Sequence, residues 1–169
     1  MRAATAVEAV WRERALRLSE RPVSAGPAQN AFPVLVLGLG KERYCIHLPD
    51  VVEVLPLLSP TPVPGAPAVF AGVINVHGEI RPVIDLKTFL GMHGVPKSDR
   101  PRVILLCKEG RQMGLQIDSV EQIRWIDSRD LQTDGNLGRS RYIKGPNQDL
   151  LLLLNAEALF AELQIGDAP

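Results

Sequence analysis

Cysteine occurs only twice in these 169 residues, at Cys45 and Cys107, each inside an apolar strand-like run. A secreted scaffold held together by disulfides needs more cysteines at regular spacing, so both read as reduced core or near-core residues. Aromatic residues make up 5% of the chain, a poor supply for a platform that stacks single-stranded nucleic acid. Net charge is missing too: 19 basic residues balance 19 acidic ones, which argues against an electrostatic grip on nucleic acid or a membrane surface. Long apolar runs are absent. The longest, Leu150 to Leu154, spans five residues, against the roughly 20 that a membrane helix requires. Arg12, Glu13, Arg14 and Arg17 interrupt any signal-peptide core at the N-terminus. A cytoplasmic chain without direct membrane insertion is expected.

Reaction chemistry is equally thin. His47, His77 and His93 match no zinc-ligand spacing, and neither cysteine lies in a CxxC pair. No GxSxG nucleophile turn occurs, and Gly38-Leu39-Gly40-Lys41 lacks the spacing of a phosphate-binding loop. No enzymatic activity, metal or cofactor is expected.

What the chain does contain is strands. Gly72 to Met92 holds two apolar bursts, Val73-Ile74 and Val83-Ile84, split by a His77-Gly78-Glu79 turn, the pattern of a β-hairpin. Asp85 then stands where a short helix over Leu86 to Leu90 needs its N-cap. Moving Val34–Val54 forward by 69 residues onto Val103–Ile123 lays apolar on apolar almost throughout. In both windows a run of four apolar residues precedes a Gly/Lys turn and an alternating strand: Tyr44, Ile46 and Leu48, then Met113, Leu115 and Ile117. That alternation predicts one buried and one exposed face. Later, Val83-Ile84-Asp85-Leu86 answers to Leu153-Leu154-Asn155-Ala156. Leu150–Leu154, apolar on both faces, is expected at an interface.

Duplicated halves of short strands argue for paired small β-barrels, each too small to stand comfortably alone. The expected organisation is an N-terminal amphipathic helix and linker over 1–31, then a domain over 32–165 with halves of about 32–99 and 100–165. The helix carries Val7, Val10, Trp11, Ala15 and Leu18 on one stripe and stops at Pro22. A proline-rich connector follows Pro56, with Pro60, Pro62, Pro64 and Pro67. Asp127 to Arg141 reads as a surface loop. Glu53, in Val51-Val52-Glu53-Val54-Leu55, is either a solvated strand charge or a rim charge beside an apolar docking surface. A small β-barrel module that binds nucleic acid or peptide ligands is the alternative reading of such a chain.

Several segments together resemble the CheW-like family, the coupling proteins of bacterial chemosensory arrays. They are Glu42-Arg43-Tyr44-Cys45-Ile46, Val51-Val52-Glu53-Val54, Thr61-Pro62-Val63-Pro64 and, most specifically, Gly72 to Leu86. The resemblance covers Phe32 to about Ile165. It implies an all-β fold of two five-stranded SH3-like β-barrels packed side by side, with short helices after barrel strands. It also implies a non-enzymatic adaptor that binds the regulatory domain of a chemotaxis-type histidine kinase. The cytoplasmic tip of methyl-accepting chemoreceptors would lie in a groove between the barrels. On this resemblance Val52, Glu53 and Leu55 would face partners, and Asn75, His77 and Gly78 would sit near the receptor groove. His77 departs from the family, which usually has arginine there.

Overall fold

The computed structural model describes residues 30–56, 59–96, 98–130, 143–146 and 151–163. Strands β1 (Ala31–Leu39) and β2 (Glu42–His47) form a hairpin, and a 3-10 turn at Leu48–Asp50 leads into β3 (Val51–Pro56). Strands β4 (Phe70–Val76) and β5 (Glu79–Asp85) form the second hairpin, followed by helix α1 (Leu86–Phe89). The same order then recurs: β6 (Arg102–Lys108), β7 (Arg111–Ile117), β8 (Ser119–Asp127), a 3-10 turn, β9 (Ile143–Pro146), β10 (Leu151–Leu154) and helix α2 (Ala156–Leu163).

The fold is mostly β, with two five-stranded sheets ordered β8-β1-β2-β10-β9 and β3-β6-β7-β5-β4. Neither sheet is made from one half of the repeat. The first takes β1 and β2 from one half and β8, β9 and β10 from the other; the second sheet takes the complement. Corresponding pairs keep the same register at the 69-residue offset. Leu37 pairs with Tyr44 as Leu106 pairs with Met113, and the parallel contacts Ile46–Leu154 and Leu115–Ile84 are likewise equivalent, with Ile84 and Leu154 one residue further apart. Even the irregularities correspond: the β3–β6 and β1–β8 pairings each shift register at the matching place.

Cross-strand neighbours share a sheet face, so the registers define rows of side chains. One row runs Ile123–Leu35–Ile46–Leu154 across the first sheet, and its equivalent, Val54–Ile104–Leu115–Ile84, crosses the second. The inner three residues of each row are buried and belong to one apolar cluster common to both sheets. Phe160 of α2 and Leu86 at the start of α1 join that cluster. Full burial of side chains this large contributes about 1.5–3 kcal/mol each, so the common cluster is a principal source of cohesion between the sheets.

A second cluster, with Val34, Val36, Cys45 and Leu153, covers the opposite face of the first sheet. This corrects the expected half-exposed alternation of the second strand. Tyr44, Cys45 and Ile46 are all buried, because β2 is a central strand with a cluster on each face. Strand β10 is covered on both faces for the same reason: Leu154 enters the common cluster and Leu151 and Leu153 the other.

Local signals explain the joints. Asp85 Oδ1 accepts from the backbone N–H of Lys87 at 3.0 Å and of Thr88 at 3.2 Å, and Asn155 Oδ1 accepts from Ala158 N–H at 3.3 Å. Both are side-chain N-caps. The proline-rich connector touches the outer edge of β4 through a two-way backbone pairing of Thr61 with Val73. Gly72, at φ 138°, lets that approach happen, since a Cβ there would collide with the Thr61 carbonyl. The expected N-terminal helix, and most of the loop after Asp127, lie outside the described residues.

A candidate docking surface

Among the described residues strand β3 has only one strand neighbour, β6, and so forms an edge of its sheet. Its residues alternate between half-buried and exposed from Val51 to Pro56, with Val52, Val54 and Pro56 outward. Glu53 and Leu55 point to the other side. Leu55 is half-buried and pairs with buried Val103. The residues expected on one partner face therefore divide, with Val52 on one side of the strand and Glu53 and Leu55 on the other.

Glu53 reaches the tip of the β4–β5 hairpin, where its Oε2 lies 2.9 Å from His77 Nε2. Since β4 is the opposite edge of the same sheet, this contact joins the sheet's two margins. His77 and Gly78 form a two-residue turn with φ of 52° and 91°, the geometry of a type I′ hairpin. Asn75 Oδ1 pins the turn by accepting the N–H of Gly78 at 2.8 Å. Asn75 thus shapes the turn, and His77 is the group the turn displays. Glu53, Asn75, His77 and Gly78 form one connected region; Val52 lies beside it, and Leu55 sits beneath the strand.

Other exposed apolar groups were less legible. Val54 is 39% exposed and its equivalent Ile123 is 56% exposed. Each is the outer end of a buried row, on an edge strand with no further neighbour among the described residues. Trp125, two positions beyond Ile123 on β8, is also exposed, as is Ile80 beside the hairpin turn. The 69-residue offset was the available signal, because it carries Val54 onto Ile123. Single-strand alternation could not tell which apolar face lacks a covering strand.

Openings are repeated as well. A cleft of about 340 Å³ is bordered by Phe32, His47 and Ser128. Another of about 620 Å³ is bordered by Pro101, Gln116 and Ser59, the residues at the equivalent positions. Between the sheets lies the common apolar cluster. Among the described residues no group of three or more His, Cys, Asp or Glu side chains is arranged to hold a metal. No helix among them is long and apolar enough to cross a membrane.

Two sheets with a common core, displaying edge strands and a hydrogen-bonded hairpin turn, define a binding scaffold of the paired small-barrel class. The CheW-like domain model matches residues 33–164; the chain belongs to the CheW-like family. It is 32% identical over 138 residues to the chemotaxis protein CheW of Klebsiella aerogenes, covering 78% of this chain and 83% of that one. With the Rhizobium meliloti chemotaxis protein CheW it shares 31% identity over 99 residues, 59% of this chain and 64% of that relative's length. Among solved structures, the scaffolding protein TtCheW from Thermoanaerobacter tengcongensis superposes with a TM-score of 0.69 at 29% identity, covering 76% of this chain and 92% of that one.

Proposed function

We propose that this chain is a chemotaxis adaptor without catalytic activity of its own, coupling chemoreceptors to a histidine kinase. The observation that carries the reading is the CheW-like family match over residues 33–164. The chain binds the regulatory domain of the kinase and the cytoplasmic tip of the receptors, which recruits it to membrane-associated arrays. Val52 and Glu53 on β3, with Leu55 at the margin, meet one partner, and the Asn75–His77–Gly78 tip meets the receptor. The exposed apolar residues of β3 and the neighbouring charge of Glu53 support this assignment, since apolar centres with polar rims are the usual anatomy of protein interfaces.

The test is direct binding of the purified full chain to a soluble chemoreceptor tip and to the kinase regulatory domain from the same host. Both should bind, and their combination should raise kinase activity above that of the kinase alone. A folded chain that binds neither would remove the adaptor reading. Val54→Asp should weaken docking while leaving the fold intact, because its side chain already meets water. Leu55→Asp reports less cleanly, as it also places a charge on a half-buried site.

A further inference from the structure

The imidazole of His77 is held in a defined setting. Its backbone lies in the left-handed region within a turn pinned by Asn75, and its Nε2 faces the Glu53 carboxylate at 2.9 Å. The side chain is nonetheless 77% exposed. Among the described residues Glu53 is the ring's one hydrogen-bond partner.

An ionised carboxylate can only accept hydrogen bonds, so the nitrogen facing it carries the proton. A neutral imidazole has a single N–H, and its other nitrogen is then an acceptor. We infer that Glu53 sets the tautomer of the neutral His77 ring, leaving Nδ1 as a hydrogen-bond acceptor at the hairpin tip, and that this acceptor selects receptor tips which place a donor opposite it. The inference rests on the reading of the hairpin as receptor-facing.

An arginine at this position would have the opposite polarity. A guanidinium carries five N–H donors and no acceptor, so its complement is a carboxylate or carbonyl. His77 instead calls for an amide, hydroxyl or ammonium on the receptor. Glu53 acts as a positioning residue, orienting a group that it need not itself bring into contact with the partner. One side chain thereby changes which chemistry is complementary at the tip, with no change of fold.

Two measurements on the full chain test this. The imidazole nitrogen shifts of His77, read by long-range proton–nitrogen correlation, should report the Nε2–H tautomer, and Glu53→Ala should relax it to a mixture. An Nδ1–H ring in the native chain would overturn the inference. In binding to a soluble chemoreceptor tip from the same host, His77→Arg should lose about five- to tenfold in affinity, the worth of one hydrogen bond. His77→Gln, whose carbonyl can accept, should stay within about twofold. If His77→Arg binds as tightly as the native chain, the acceptor role fails while the adaptor reading stands. If the native chain does not bind the receptor tip, both fail.

Discussion

Lys87 Nζ lies 2.7 Å from Asp118 Oδ1, and the same carboxylate uses Oδ2 to accept the backbone N–H of Gly40 at 2.7 Å. Asp118, at the corner where the chain passes from β7 of one sheet to β8 of the other, therefore ties α1 to the β1–β2 turn. Both charged side chains are largely shielded from water. Removing one member of a shielded pair leaves the other poorly solvated, so Lys87→Met should cost about 1–3 kcal/mol in urea unfolding. Asp118→Asn should cost less than Asp118→Ala, because an amide oxygen can still accept from Gly40.

The common core predicts joint unfolding. Ile46→Ala and its equivalent Leu115→Ala should each cost about 2–5 kcal/mol, the range for cavities in well-packed interiors. Because both side chains belong to one cluster, either variant should lower a single transition seen by every probe. Two separate transitions, each moved by only one of the variants, would contradict a core that serves both sheets.

Burial pushes the Cys45 thiol up to about 12, with Arg124 pulling weakly the other way. An unfolded thiol ionises from its ordinary value of 9.0, so above that pH the unfolded chain holds fewer protons than the folded one. Stability contributed by the neutral thiol is complete below pH 9 and falls as pH rises toward 12, with a slope of at most about 1.4 kcal/mol per pH unit. Alkaline unfolding curves should show this decline, and Cys45→Ala should flatten it. A thiol reagent should modify half-buried Cys107 in the folded protein before Cys45.

Asp127 shifts in the opposite direction. The Arg129 side chain, reinforced by a hydrogen bond from its own backbone N–H, holds the carboxyl at about 2. The favourable effect is present at neutral pH and is lost as pH falls through that value. Arg129→Ala should return the carboxyl toward the ordinary range near 3.9, measurable by carboxyl carbon shifts during titration.

Gly72→Ala should destabilise the chain by about 1–3 kcal/mol, through backbone strain and collision with Thr61. The loss should appear first as faster hydrogen exchange at Thr61 and Val73, whose N–H groups bond each other's carbonyls.

Much of this architecture was legible in the amino-acid order. The hairpin at His77-Gly78, the caps at Asp85 and Asn155 and the 69-residue correspondence rest on contacts close in sequence or on side-chain patterns. The exchange of strands between sheets was not legible, because partner choice among similar strands depends on contacts far apart along the chain. Cys45 is buried, as its reading as a core residue expected, but the covered second face of β2 was not legible: alternation assumes water on one face, and here a second cluster covers it. The Glu53–His77 contact joins residues 24 positions apart, and nothing in either segment alone announces the other.

The allocation of strands also limits how this molecule can be taken apart. Severed between β5 and β6, the chain would give two fragments, each owning pieces of both sheets and completing neither. Such fragments should remain disordered singly yet reassemble when mixed, like two hands with interlaced fingers. A lone half of this protein therefore leaves both of its sheets open, and only a second half closes them.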